Sequence, residues 1–135
     1  MGQDADTLKS AYEAFGKGDI EATMEAWNDD IRWEGTNDEK LPAGGRHEGK
    51  EAVGKALGQI QEAWESFTVT PDEFHDSDGT VIVLGHAEGK AKETGKEAKW
   101  PFVHVWRMKD GKASEALVLS DTYELAKTLG LVDGG

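Results

Sequence analysis

Residues 98–123 read AKWPFVHVWRMKDGKASEALVLSDTY, two apolar runs joined by Asp110-Gly111. An Asp-Gly pair between such runs predicts a β-hairpin with a tight two-residue turn. A half-buried strand alternates apolar and polar residues, because successive side chains point to opposite faces. The first arm does not alternate. Trp100, Phe102, His104, Trp106 and Met108 share one face, and Pro101, Val103 and Val105 share the other. With a regular two-residue turn, Lys109 stands opposite Lys112, Trp106 opposite Glu115, His104 opposite Leu117, Val103 opposite Val118 and Pro101 opposite Ser120. The small face is then Pro101, Val103, Val105, Ala116, Val118 and Ser120, and the bulky face is Trp100, Phe102, His104, Trp106, Leu117 and Leu119. By pattern alone the bulky face is the core.

Before the hairpin the chain is helical first and extended later. From Asp6, Leu8, Ala11, Tyr12 and Phe15 recur at helical spacing until GKGD, residues 16–19, ends the helix. Asp19 caps a second helix through Glu21, Met24 and Trp27. A short strand is expected at IRWEG, residues 31–35. Residues 35–50 carry no periodicity and read as a long loop, of the kind that often binds ligands. Val53, Leu57, Ile60, Trp64 and Phe67 define a third helix from Lys50 to about Ser66. Strands follow at about 67–75, 80–92, 97–108 and 112–120. A last helix begins after Asp121, its N-cap, with Glu124 three residues on. Helices early and strands late predict an α+β fold with helices on one face of a curved antiparallel sheet.

Composition bounds the function. The 135 residues suit one domain spanning 1–135. Fifteen Lys and Arg against 27 Asp and Glu give a formal charge of −12, which repels nucleic acid. Cysteine is absent, so disulfides, thiolate metal sites and a Cys nucleophile are excluded. No run approaches the ~18 apolar residues of a membrane span, and MGQDADTLKS lacks a signal pattern. The expectation is a soluble cytoplasmic protein without nucleic-acid or membrane partners. The four histidines, His47, His75, His86 and His104, show no ligand spacing, and neither a metal nor a cofactor is expected.

Five stretches in order carry a resemblance: AYEAFGKGDIEATMEAWNDDIRW (11–33), GRHEGKEAV (45–53), VIVLG (81–85), PFVHVWRMKDGK (101–112) and SDT (120–122). Together they resemble the SnoaL-like branch of the nuclear transport factor 2-like (cystatin-like cone) superfamily. The resemblance implies a cone in which a curved sheet wraps the N-terminal helices around a pocket. It also implies a range of functions, from steroid isomerases, polyketide cyclases, epoxide hydrolases and dehydratases to non-catalytic binding proteins. It aligns Val103 and Val118 with pocket positions. On that basis the small hairpin face is expected to look into the pocket, and the bulky face to lie on the convex side against a second copy in a homodimer.

The same resemblance places acids of isomerase relatives at Gly35 and Val103, and an acid of epoxide hydrolase relatives at Val118. Gly and Val cannot act as a general base, so neither mechanism is carried over. Tyr12, Trp27, Trp33, Gly35, Trp64, Val103, Val118 and Ser120 are the expected pocket residues. Trp33 is core packing or a ligand contact, and Trp27 and Trp64, on the buried stripes of their helices, are core or pocket wall. The small row Val81, Val83, Gly85, Ala87 and Gly89 is expected to face inward and leave room for a ligand. His47, in the loop, is the titratable candidate for catalysis at the pocket mouth. His104 reads as an interface or core histidine with one satisfied nitrogen. The function expected is binding of a small hydrophobic molecule in an apolar pocket. It would be carried out either by an isomerase-, cyclase- or hydrolase-type enzyme on a small hydrophobic or aromatic substrate, or by a non-catalytic ligand-binding or dimeric partner-binding module.

Overall fold

A computed structural model describes residues 2–35 and 39–132. Residues 36–38 of the expected loop, and residues 1 and 133–135 of the expected domain, lie outside the described residues.

The first helix, α1 (Gly2–Gly16), turns Leu8, Ala11 and Tyr12 into the core. Asp19 then caps α2 (Ile20–Met24) by accepting from the Ala22 amide at 3.0 Å. Here the structure corrects the expected boundary. α2 stops before Trp27, which is instead the first residue of β1 (Trp27–Glu34). Within residues 35–50, a short β2 (Arg46–Glu48) pairs back on β1. α3 (Lys50–Ala63) buries Val53, Ala56 and Leu57 and runs straight into β3 (Trp64–Ser77). Trp64 thus opens a strand and does not close a helix. Apolar spacing alone cannot separate the two states where a helix passes directly into a strand.

Two hairpins complete the sheet. β3 and β4 (Thr80–Ala91) join through Asp78-Gly79, and β5 (Glu97–Lys109) and β6 (Lys112–Ser120) through Asp110-Gly111. All four turn residues have positive φ, between 48° and 80°. That is the mirror-image turn whose twist matches paired strands. The sheet order is β2-β1-β6-β5-β4-β3, antiparallel except for the β1/β6 pair, which is parallel. α1 and α3 cover one face, and α4 (Thr122–Thr128), capped by Asp121 at 3.1 Å from the Glu124 amide, closes over β5.

The β5/β6 register departs from the regular hairpin. Lys109 pairs with Lys112 and Met108 with Ala113, but Arg107 pairs with Glu115, leaving Ser114 as an extra residue. Its hydroxyl donates to the Arg107 carbonyl at 3.1 Å. A one-residue bulge exchanges the faces of everything beyond it. Trp106 therefore stands opposite Ala116, His104 opposite Val118 and Phe102 opposite Ser120. This corrects the expected faces. Trp100, Phe102 and Trp106 are buried on the helix-covered side, together with Ala116. Val103 pairs with Leu84 and Leu119 on the opposite side, so it does not face the helices.

Large and small residues alternate across the covered face. In one row, Trp33 and Trp106 flank Ala116, and their indoles meet edge-to-face at 6.2 Å. The glycines of β4 serve the same packing. A Cβ on Gly85 would lie 2.6 Å from Phe102 Cζ, and one on Gly89 2.9 Å from Trp64 Cε3. Gly85 and Gly89 do face inward, but aromatic rings fill the space they leave. That corrects the expectation that they leave room for a ligand.

Candidate functional site

Between the helices and the covered sheet face lies a cavity of about 120 Å³. Its wall is built largely of rings from Tyr12, Trp27, Trp33, Trp64, Trp100, Phe102 and Trp106. No described Asp, Glu, Lys or Arg lines it, in a chain whose formal charge is −12. The polar groups of the wall are few: Tyr12, Thr23, Ser120, His104 and the indole nitrogens. The Thr23 hydroxyl is already spent on the Asp19 carbonyl at 2.8 Å. Among the described residues no group of three or more His, Asp or Glu side chains comes together to hold a metal ion.

His104 is the group around which the polar part of the wall is organised. Its ring stacks on Phe102, with centroids 4.1 Å apart. Nδ1 meets the Tyr12 hydroxyl at 2.6 Å, and that oxygen accepts from Trp106 Nε1 at 3.0 Å. Indole N–H can only donate, so the Tyr12 oxygen accepts there and its own proton is left to donate to Nδ1. The reverse assignment would leave a buried hydroxyl proton without an acceptor, which costs more than the bond is worth. His104 is thus the neutral Nε2–H tautomer. Burial pushes its pKa down to about 3 and pushes that of Tyr12 up, the latter opposed by the Trp106 donor. Both groups are uncharged at neutral pH.

The other end of the imidazole is free. Among the described residues Nε2 has no protein partner, and it is absent from the polar atoms that are sealed without one, which are Trp27 Nε1 and an Asp76 oxygen. Nε2 therefore keeps some accessible surface, and His104 is a lining residue of the cavity.

Gly35 stands where a loop presses on the sheet. The Ala43 carbonyl accepts from Trp33 Nε1 at 3.3 Å, and Gln59 holds the Ala43 amide at 3.0 Å. A Cβ on Gly35 would sit 2.2 Å from that carbonyl. No carboxylate fits at position 35 with the loop in this place.

Seven of the expected pocket residues come together on the cavity: Tyr12, Trp27, Trp33, Gly35, Trp64, Val118 and Ser120. Val103 does not, for the reason of register given above. His47 is also not in the wall. It pairs with Trp33 on the edge strand β2, and its Nε2 donates to the Gly44 carbonyl at 2.8 Å. The expected position of His47 at the mouth is corrected accordingly. Among the wall residues that sequence reasoning left out of the site are Trp100, Phe102, His104 and Trp106. A signal for them was present: the regular register puts the Glu115 carboxylate directly opposite Trp106 on an aromatic face, a conflict that one extra residue removes.

Residues 8–116 match the family described as SnoaL-like domain. No curated protein matches the chain. Among solved structures, an NTF2-like protein of unknown function from Burkholderia pseudomallei superposes with a TM-score of 0.89 at 28% identity, covering 96% of this chain and 98% of that one. TerC, co-crystallised with polyporic acid, superposes with a TM-score of 0.86 at 25% identity, covering 95% and 98%. A SnoaL-like polyketide cyclase from a Jannaschia species, so described provisionally, shares the fold with a TM-score of 0.83 at 15% identity over 97% and 94%.

Proposed function

We propose that this chain, which belongs to the SnoaL-like domain family, binds one small, uncharged, largely aromatic organic molecule in the cavity above Trp33 and His104. The observation that carries this reading is an unfilled volume of about 120 Å³ walled by rings and bordered by no described charged side chain. Burying a charge there would go uncompensated, whereas apolar surface gains roughly 25 cal/mol per Å² on leaving water. A volume of this order suits a molecule about the size of benzene. The relative co-crystallised with polyporic acid lends support, because it was crystallised with an organic molecule and is 25% identical over nearly the whole chain.

A second reading, an enzyme, draws on the Tyr12–His104 pair at 2.6 Å. A neutral imidazole N–H can polarise a carbonyl, and that requires no general base. The experiment that separates the two is native mass spectrometry of the purified chain, followed by titration of the molecule it retains with turnover checked in the same samples. Binding without turnover supports the first reading. Turnover lost in His104→Phe supports the second, and turnover lost in His47→Ala would move catalysis to the edge strand β2. Retention of no molecule, together with unchanged affinity in Trp33→Ala for any aromatic probe, would sink the cavity as a ligand site.

The same reading includes a homodimer through the sheet face away from the helices. There Ile82, Leu117 and Leu119 are 38%, 37% and 52% exposed, in rows completed by Leu84, Val103 and Val105. An apolar face of this extent is unusual on a monomer.

A further inference from the structure

We infer that His104 is the specificity-determining donor of the cavity: its Nε2–H selects a ligand bearing an uncharged oxygen acceptor, a carbonyl on an aromatic frame, over the same frame without one. The inference rests on the reading of the cavity as a ligand site and adds what the ligand must carry.

Three observations converge. The chain from Trp106 Nε1 to the Tyr12 hydroxyl to His104 Nδ1, at 3.0 and 2.6 Å, consumes the only acceptor nitrogen of the imidazole. The remaining nitrogen must then carry the proton, and it has no acceptor among the described residues. Stacking of the ring against Phe102 at 4.1 Å fixes its direction, so the N–H cannot turn away to find another partner. A second donor, the Trp27 indole N–H, is also unpartnered in the wall, whereas no described wall acceptor is left sealed without a donor. Two ring N–H donors thus stand unpaired in a wall whose only side-chain hydroxyls besides Tyr12 are those of Thr23 and Ser120. A ligand lacking an acceptor would leave the His104 donor dry and unpaired, which is the circumstance in which a missing hydrogen bond discriminates most. Burial holds both Tyr12 and His104 neutral, so the donor persists across ordinary pH.

The test uses a matched pair of probes, acetophenone and α-methylstyrene, which differ by an oxygen against a methylene of nearly the same shape. Calorimetry on the full chain should give about five- to tenfold tighter binding of acetophenone, the worth of one hydrogen bond. In His104→Phe, which keeps the stacked ring, the two affinities should become equal. Independently of any ligand, long-range proton–nitrogen NMR of the wild-type chain should show His104 protonated at Nε2 alone. Equal affinities in the wild type would overturn the inference and leave the ligand site standing. Binding of neither probe, nor of benzene itself, would overturn both. A proton on Nδ1 would overturn the donor chain, whether or not the variant folds.

Discussion

The hydroxyl of Tyr12 on the first helix and Nδ1 of His104 on the fifth strand meet at 2.6 Å across 92 positions of sequence. The bond ties α1 to the centre of the sheet and sets the protonation of both partners. It also gives the fold an acid-sensitive element.

The pKa of His104 in the fold, about 3, lies below its ordinary value of 6.5. Between those pH values the unfolded chain binds a proton that the folded chain does not, so stability rises with pH there. The contribution is complete above about pH 6.5 and is lost as the pH falls toward 3, at up to about 1.4 kcal/mol per pH unit. Other groups titrate in the same range, so the comparison is with His104→Phe. Urea unfolding of both chains at several pH values from 4 to 7 should show the wild type losing its advantage as the pH falls. Parallel curves would mean that His104 accepts a proton within the fold.

Gly85→Ala should destabilise by about 1–3 kcal/mol, the cost of overpacking. The added methyl would meet both the Thr70 carbonyl, at 2.3 Å, and the Phe102 ring. One neighbour is backbone of the paired strand, and the other is wedged against His104. A variant as stable as the wild type, by thermal melting, would show that Phe102 does not sit over the glycine.

Val118→Phe should be tolerated, because Val118 looks into open volume and the new ring can occupy it. The melting temperature should stay within a few degrees, since about 1 kcal/mol moves a chain of this size by roughly that much. Binding of any aromatic probe should fall sharply. A large drop in melting temperature with binding retained would place the free volume elsewhere.

Leu119→Glu tests the exposed sheet face. Leu119 is 52% exposed, so a charge there costs an isolated chain little. In a dimer built on this face the same charge is buried, and association should weaken by about 2 kcal/mol or more. Sedimentation across micromolar concentrations decides it. A wild-type chain that stays monomeric, or a dimer indifferent to the substitution, removes this face as the interface.

Much of the architecture follows from local chemistry and is legible in the residues themselves. Asp19 and Asp121 cap helices because a carboxylate accepts free amides at a helix start. Asp110-Gly111 forms the hairpin because both residues tolerate positive φ. The spacing of Leu8, Ala11 and Tyr12 turns one face of α1 inward. These signals lie within a few residues of their effect, so the amino-acid order alone is enough for most of the elements and their succession, and helical spacing together with the family resemblance reaches seven of the wall residues. Which face of β5 is the inside depends on long-range packing. A two-residue turn sets a register, but the extra residue Ser114 shifts it, and the one local sign of the shift is the Glu115 carboxylate that a regular ladder would set against Trp106. What favours the bulge is distant: Trp33 on β1 and Trp106 on β5 both pack over Ala116, and Tyr12 on α1 closes on His104. Only when four segments far apart in sequence are assembled does burying the aromatic face outweigh a regular ladder, and that same choice builds the cavity.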